Sequence, residues 1–279
     1  MNLDDFIVVG KQQQVDAREK AASFMRAYNA GELESLLKNG SIIDKYDAYE
    51  HLGHGTTALF RTTANQNIKH ELWLSKSKST CLKEYFQYPT PVFKIENFSN
   101  SQIREIAMRS QKSLSILEIK HHLRSIGIIL IYQPFIPGSK IDGAAFKLPN
   151  GTPCVSISMR FKRADNIWFT LLHELAHVAL HYNDLDVAII DDMEAINDSK
   201  AERQANALAS NSICPRDIYR SLKSKITTKE KDLLEDAKLA QVHPALLAGI
   251  IRHSTSYTIF GDQVNSDQYF EETVKGITE

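Results

Sequence analysis

The stretch that most constrains this chain is 165–182, DNIWFTLLHELAHVALHY. Apolar residues fill most of its positions, among them Ile167, Trp168, Leu171, Leu172, Leu175 and Val178. Such a pattern predicts a helix buried in a core, with Asp165 as its N-cap. Into this apolar surface are set His173, Glu174 and His177. A helical turn takes about 3.6 residues, so side chains four apart project from one face, and two imidazoles can share one metal ion. Neutral imidazole is a good zinc donor, and zinc brings the pKa of its water toward ~7. Glu174, adjacent to the first histidine, can reach such a water without being a ligand. Two buried imidazoles and a carboxylate on an apolar helix would otherwise carry a desolvation cost of several kcal/mol.

A catalytic zinc takes three protein ligands and keeps a fourth position open. Three kinds of third ligand follow the helix. His181 lies four residues beyond His177, yet about 12 Å of axial rise separates it from His173, too far to share one ion. It is expected to act behind the ligands or on the substrate side, or to sit at a helix end favoured by the C-terminal dipole. The acidic residues Asp184, Asp186, Asp191, Asp192, Glu194 and Asp198 offer oxygens, although acidic loop residues are usually just solvated. Glu202 is the preferred candidate. The segment SKAERQANALASNSI reads as a second helix, capped by Asp198 or Ser199, with Glu202, Ala205, Asn206 and Ala209 along one face. Small residues there allow close approach to the first helix. Asn206, one turn after Glu202, is placed to orient a ligand histidine through its free ring nitrogen.

The remaining sequence describes what surrounds these helices. The chain has 279 residues, enough for one large or two modest domains. Lys+Arg 33 against Asp+Glu 34 gives a net charge of −1, which supplies no pull toward nucleic acid or anionic membrane. Cys81, Cys154 and Cys214 are scattered and odd in number, arguing against a disulfide framework and a thiolate zinc site; they read as buried apolar residues or free thiols. The start MNLDDFIVVGKQQQ lacks the charged and apolar segments of a signal peptide, and no run is long enough to span a bilayer, so a cytoplasmic location is expected.

Two unequal parts are expected, 1–95 and 96–279. The first reads as helical: 15–28 with Gly31 as its stop, a short helix 32–37, a Gly/His/Thr loop over 51–57, and further pieces at 57–64 and 66–87. Trp73, Leu74, Tyr85, Phe86 and Tyr88 are expected in a small core against the second part. Pro89 and Pro91 mark 88–100 as a linker. Over residues 1–100, Lys+Arg and Asp+Glu each number 12, so this region is no electrostatic clamp for DNA. In the second part, 100–125 reads as one helix and 127–135 (GIILIYQPF) as a strand. Short apolar runs at 142–147 and 153–159 flank Pro149-Asn150-Gly151-Thr152, a hairpin signal because Asn and Gly tolerate positive φ. The fold class expected is α+β: mostly helical with a small antiparallel sheet, preceded by a helical N-terminal region.

HELAHVALH, then ERQANALA and the Cys214-Pro215 pair, resembles the ImmA/IrrE family of zinc metallopeptidases. Similarity extends through YQPFIPGSKIDGAAF, VSISMRFKRADNIWFT and VHPALLAGIIRH, roughly 100–260, and is strongest with the peptidase-like half of long HigA-type antitoxins and phage-type regulators. The resemblance implies a gluzincin-type, zincin-like domain with Zn2+ held by His173, His177 and Glu202, and Glu174 as general base. It further implies a regulatory protein as substrate or partner. In relatives of the fused type a helix-turn-helix precedes the peptidase-like half; this chain departs from that pattern, since no DNA-binding domain is marked in 1–95, so no direct nucleic-acid binding is expected, and no membrane binding either. Two functions are compatible with it: a zinc endopeptidase acting on a narrow target such as a repressor, and an antitoxin-like or phage-defence module that sequesters a partner. For the first, an oxyanion donor is needed, and His181, Tyr182 and Arg160 are the candidates. Strand 153–159 is expected at the rim of the cleft, where a peptide could add to the sheet.

Overall fold

The computed structural model describes residues 29–43, 68–186, 189–191 and 199–265. The expected helix at 15–28, the loop at 51–57 and the pieces at 57–64 lie outside them. In chain order the elements are α1 (Glu32–Lys38), α2 (Ile68–Gln87), α3 (Asn100–Arg109), α4 (Ile116–Ser125), β1 (Ile129–Gln133), β2 (Gly143–Lys147), β3 (Pro153–Ser158) and α5 (Ala164–His181). They continue with β4 (Ile189–Asp191), α6 (Lys200–Ile213), α7 (Arg216–Ser221), α8 (Ser224–Thr227), α9 (Glu230–Ala240), α10 (Pro244–Ser254) and α11 (Gly261–Asn265).

The strands form one sheet in the order β1-β3-β2-β4. β2 and β3 make the expected antiparallel hairpin, with Lys147 opposite Pro153 and Gly143 opposite Ile157. Its turn closes through Leu148 N–H donating to the Thr152 carbonyl at 2.9 Å. Gly151 is the residue that takes positive φ, at 85°, where a side chain would be strained. β1 joins β3 in parallel, Ile129 opposite Cys154, so the sheet is mixed rather than wholly antiparallel. β3 is internal, with β1 on one side and β2 on the other, so it cannot be the rim strand expected from the sequence; β1 and β4 are the edges.

Side chains alternate across this sheet with period two. Ile129, Ile131, Ala144, Phe146 and Cys154 face α2 and pack with Leu72, Trp73, Leu74 and Cys81, a cluster that includes Leu33 and Leu36 of α1. Leu130, Tyr132, Ala145, Val155 and Ile157 face the other way into the main core with Trp168, Leu171, Leu172 and Leu175 of α5. Burial on both faces explains why β1 and β3 read as nearly continuous apolar runs. Between α2 and β3 the contacts form a ladder: Ser77 Oγ lies 2.9 Å from Ser156 Oγ. One helical turn on, the thiols of Cys81 and Cys154 meet, and burial pushes the Cys81 thiol up. All three cysteines are buried free thiols, as the scattered spacing suggests.

Three further sequence expectations are corrected. Residues 100–125 form two helices, because the serines between them compete for backbone groups. Ser110 Oγ donates to the Ala107 carbonyl and accepts from His243 N–H at 3.0 Å, while Ser115 Oγ accepts from Glu118 N–H and starts α4. Asp165 is not the N-cap of α5: the helix begins at Ala164, and Asp165 sits in its first turn, ion-paired with Arg163. Trp73 and Leu74 are buried as expected, yet Phe86 is 77 % exposed. Tyr85 packs partly buried against the cluster on the α2 face of the sheet, while Tyr88 is exposed.

Two polar ties hold the frame around α5 and α6. Arg104 of α3 donates to the carbonyls of Ser212 (2.8 Å) and Ala240 (2.6 Å), gathering the C-terminal ends of α6 and α9. Glu84 of α2 pairs with Lys120 at 2.7 Å and with Arg124, both on α4. Burial opposes ionisation of Glu84, but the hydrogen bonds and charges of Lys120 and Arg124 outweigh it and hold its carboxyl below the ordinary 4.5. With a folded pKa below the unfolded one, this tie contributes fully above the unfolded value and is lost as pH falls through the folded value. Glu84→Gln is therefore expected to cost about 1 kcal/mol at pH 7, a value discounted for solvent screening. In urea titrations the gap from the parent chain should close as the pH is taken below about 4.5; a gap that stays constant through acid would disprove the ion-pair account.

Candidate metal centre

α5 and α6 pack closely, and the site lies between them. On α5, His173 and His177 stand one turn apart on one face, and both are fully buried. Their Nε2 atoms are 3.0 Å apart. From α6, Glu202 inserts its carboxylate against both rings, with Oε2 at 3.2 Å from His173 Nε2 and Oε1 at 3.4 Å from His177 Nε2. Among the described residues, this trio is the group of His, Cys, Asp and Glu side chains that could hold a metal ion. The sequence rule that places α6 against α5 through small residues is met by Ala205 and Ala209, both buried in the shared core.

The atoms fit a cation. His173 Nδ1 lies 3.0 Å from Asn206 Oδ1, an acceptor, which places the ring proton there and leaves Nε2 with its lone pair. Burial of Glu202 disfavours its charge, yet hydrogen bonds and charge from His173 and His177 prevail and hold the carboxyl at about 2. Burial lowers the pKa of His177. Glu202 is thus ionised at neutral pH, and burial favours the neutral form of His177. Donors at ~2.05 Å from a tetrahedral ion stand ~3.3 Å from one another, close to the separations seen here. Two nitrogens and a carboxylate are also the donor set of catalytic zinc sites.

Glu174 is fully buried one residue past His173, on the side of α5 that faces β2. There the strand offers Gly143: a Cβ at that position would lie 2.5 Å from Glu174 Oε1 and 2.8 Å from Thr170 Cγ2. The sequence reading passed over Gly143, although a glycine inside a strand signals close approach of another group. Asn206, expected to orient a ligand histidine, is the residue whose Oδ1 meets His173 Nδ1. His181 contacts His177, Nδ1 to Nδ1 at 3.1 Å, rather than the metal position, as the axial distance required. Tyr182 and Arg160 stand apart from the cluster. The Tyr182 hydroxyl donates to the Gly151 carbonyl at 2.6 Å, tying the end of α5 to the hairpin turn. Arg160 donates to the Lys140 carbonyl at 3.2 Å and lies 3.5 Å from Asp142 Oδ1, bracing the approach to β2. Of the acidic alternatives, Asp184 and Asp186 are exposed, with Asp186 reaching Lys147 at 3.2 Å. The side chains of Asp191, Asp192, Glu194 and Asp198 lie outside the described residues.

Residues 127–244 match a peptidase family model, the IrrE N-terminal-like domain. This segment is similar to the ImmA/IrrE family. It runs from the entry to β1 to the first residue of α10 and so contains the whole sheet and both metal-site helices. The α+β, mostly helical, zincin-like fold expected from the sequence is the one observed. No curated protein matches the chain. No helix among the described residues is long and apolar enough to cross a membrane.

Gly143→Ala tests the packing of Glu174. The added Cβ would crowd both the Glu174 carboxylate and Thr170 Cγ2, so the carboxylate should be displaced at some cost in stability while the fold persists. Expected are unchanged metal content per chain and a displaced Glu174 carboxylate in a crystal structure of the variant. A carboxylate in its original place would show that β2 does not set its position.

Proposed function

We propose that this chain is a zinc-dependent endopeptidase acting on a narrow regulatory protein target, such as a transcriptional repressor. The observation that carries the reading is the convergence of His173, His177 and Glu202 within 4.8 Å of one another, in a segment of a peptidase family, with Glu174 beside them. Zinc held by these three residues supplies Lewis acidity, polarising a carbonyl and acidifying water. Glu174 is the proton carrier: its carboxylate takes a proton from water and returns it to the leaving amine. Full burial suits that role, since a carboxylate shielded from bulk solvent exchanges its proton with the reacting groups rather than with the medium. Asn206 fixes the ring of His173, keeping Nε2 directed at the ion.

A narrow target is favoured by the neutral charge balance, which gives no broad electrostatic attraction for basic or acidic chains. Specificity then has to come from shape and from a peptide strand docking near the site.

Glu174→Gln separates chemistry from metal binding. The variant should retain one zinc per chain by metal analysis while cleavage falls by roughly 10²–10⁴-fold, the usual contribution of a positioned general base. Mapping of new protein N-termini in its native cells should reveal a cleavage present with the parent chain and lost with the variant. Parent and variant giving the same set of termini, with the cellular phenotype intact in both, would replace proteolysis by sequestration of a partner.

A further inference from the structure

The metal histidines are not supported in the same way. His173 meets an amide oxygen from α6, whereas His177 meets another imidazole. We propose that His181 and Gln204 act as a positioning pair that fixes the ring and tautomer of His177; the inference rests on the metal-binding reading above.

The argument is one of matching donors to acceptors along a chain of three side chains. His177 Nε2 faces His173 Nε2 at 3.0 Å and Glu202 Oε1 at 3.4 Å, so as a ligand it must present its lone pair there. A neutral imidazole carries a single ring proton, which therefore sits on Nδ1. That atom lies 3.1 Å from Nδ1 of His181. The rings are tilted by 45° with centroids 5.2 Å apart, so the nitrogens meet edge to edge rather than through a stack. For a hydrogen bond to form, His181 Nδ1 must be bare and accept, which moves the proton of His181 to its Nε2. Nε2 in turn lies 3.3 Å from Gln204 Oε1, an acceptor. Every donor then finds an acceptor. The reverse sense fails: a proton on His181 Nδ1 would oppose the one on His177 Nδ1, and His177 could avoid the clash only by giving up its ligand tautomer.

Helix geometry explains why these residues are available. His181 follows His177 by four positions, so it stands on the same face one turn later, at the end of α5. Gln204 comes from the first turns of α6, two residues after Glu202 and two before Asn206. One helix therefore supplies a ligand, the direct support of His173, and the indirect support of His177. At the end of α5, His181 hydrogen-bonds to His177 and Gln204, so its ring is tied to the histidine one turn before it. Gln204 is exposed and His181 half-buried, so neither is needed to fill the core.

Zinc affinity of the full chain, measured by competition with a chromophoric chelator, tests the pair. His181→Ala should weaken zinc binding by about 10–100-fold, the usual effect of removing a group that orients a ligand. His181→Asn should recover most of the loss, because its amide oxygen is attached at Cγ where the imidazole Nδ1 is attached and can accept from His177 Nδ1–H. Gln204→Leu should act in the same direction by a smaller factor. Melting temperatures of the metal-free variants should equal that of the metal-free parent, and the visible spectrum of the cobalt-loaded alanine variant should shift from that of the parent. Parent-like zinc affinity in His181→Ala, or an asparagine variant no better than the alanine one, would overturn the proposal while leaving the metal site standing. A parent chain that takes up no zinc would instead sink the metal-binding reading on which it rests.

Discussion

Bringing two imidazoles and a carboxylate out of water to one point between two helices is the demand that organises this molecule. Unpaired, each polar group would oppose folding by a few kcal/mol, and a carboxylate by more. The fold answers by giving every donor atom a second contact. His173 has Asn206, His177 has His181, and Glu202 faces both rings. The close packing of α5 on α6 needed for this is supplied by alanines at 205 and 209, and by Arg104, which binds the far end of α6 to α9 through their terminal carbonyls. Local chemistry and global packing are thus consistent, as a sequence specifying one structure requires.

The sheet performs a different task. Its strands are covered by α2 on one face and α5 on the other, so β2 is held rigidly beneath the buried helix. Rigidity matters at Gly143, where the strand backbone approaches Glu174 so closely that no side chain fits between them. Glu174 and the His173–His177–Glu202 cluster consequently touch different neighbours: the cluster draws on α6, whereas Glu174 lies against β2.

Legibility in the sequence followed the range of the interaction. The pairing of His173 with His177 was readable because it is a property of one helix with a fixed period. Glu202 and Asn206 were readable once α6 was recognised, since small residues every four positions marked the face turned to α5. The hairpin was announced by Asn150-Gly151, although only the glycine takes positive φ. What escaped depended on contacts distant in sequence. The internal place of β3 follows from β1 pairing directly with β3 and not with β2, the next strand in sequence, which no local pattern records. The split of α3 from α4 depends on Ser110 bonding to His243, 133 residues away. Gln204 was unremarkable because its partner, His181, comes from another helix.

The placement of Glu202 shows how a local cap controls a distant site. α6 starts at Lys200 because Ser199 accepts from Glu202 N–H at 3.1 Å, which makes Glu202 the third residue of the helix. At that position its carboxylate lies in the first turn, where free N–H groups and the helix dipole favour a negative charge. The same turn therefore begins the helix, favours the ionised carboxylate and aims it at the histidines. Each residue along a helix rotates the side chain by about 100°, so a start shifted by one position, with the rest of the packing retained, would direct the carboxylate away from both rings. A single serine hydroxyl thereby fixes the angular position of the third ligand, and the metal centre inherits its geometry from the way a helix begins.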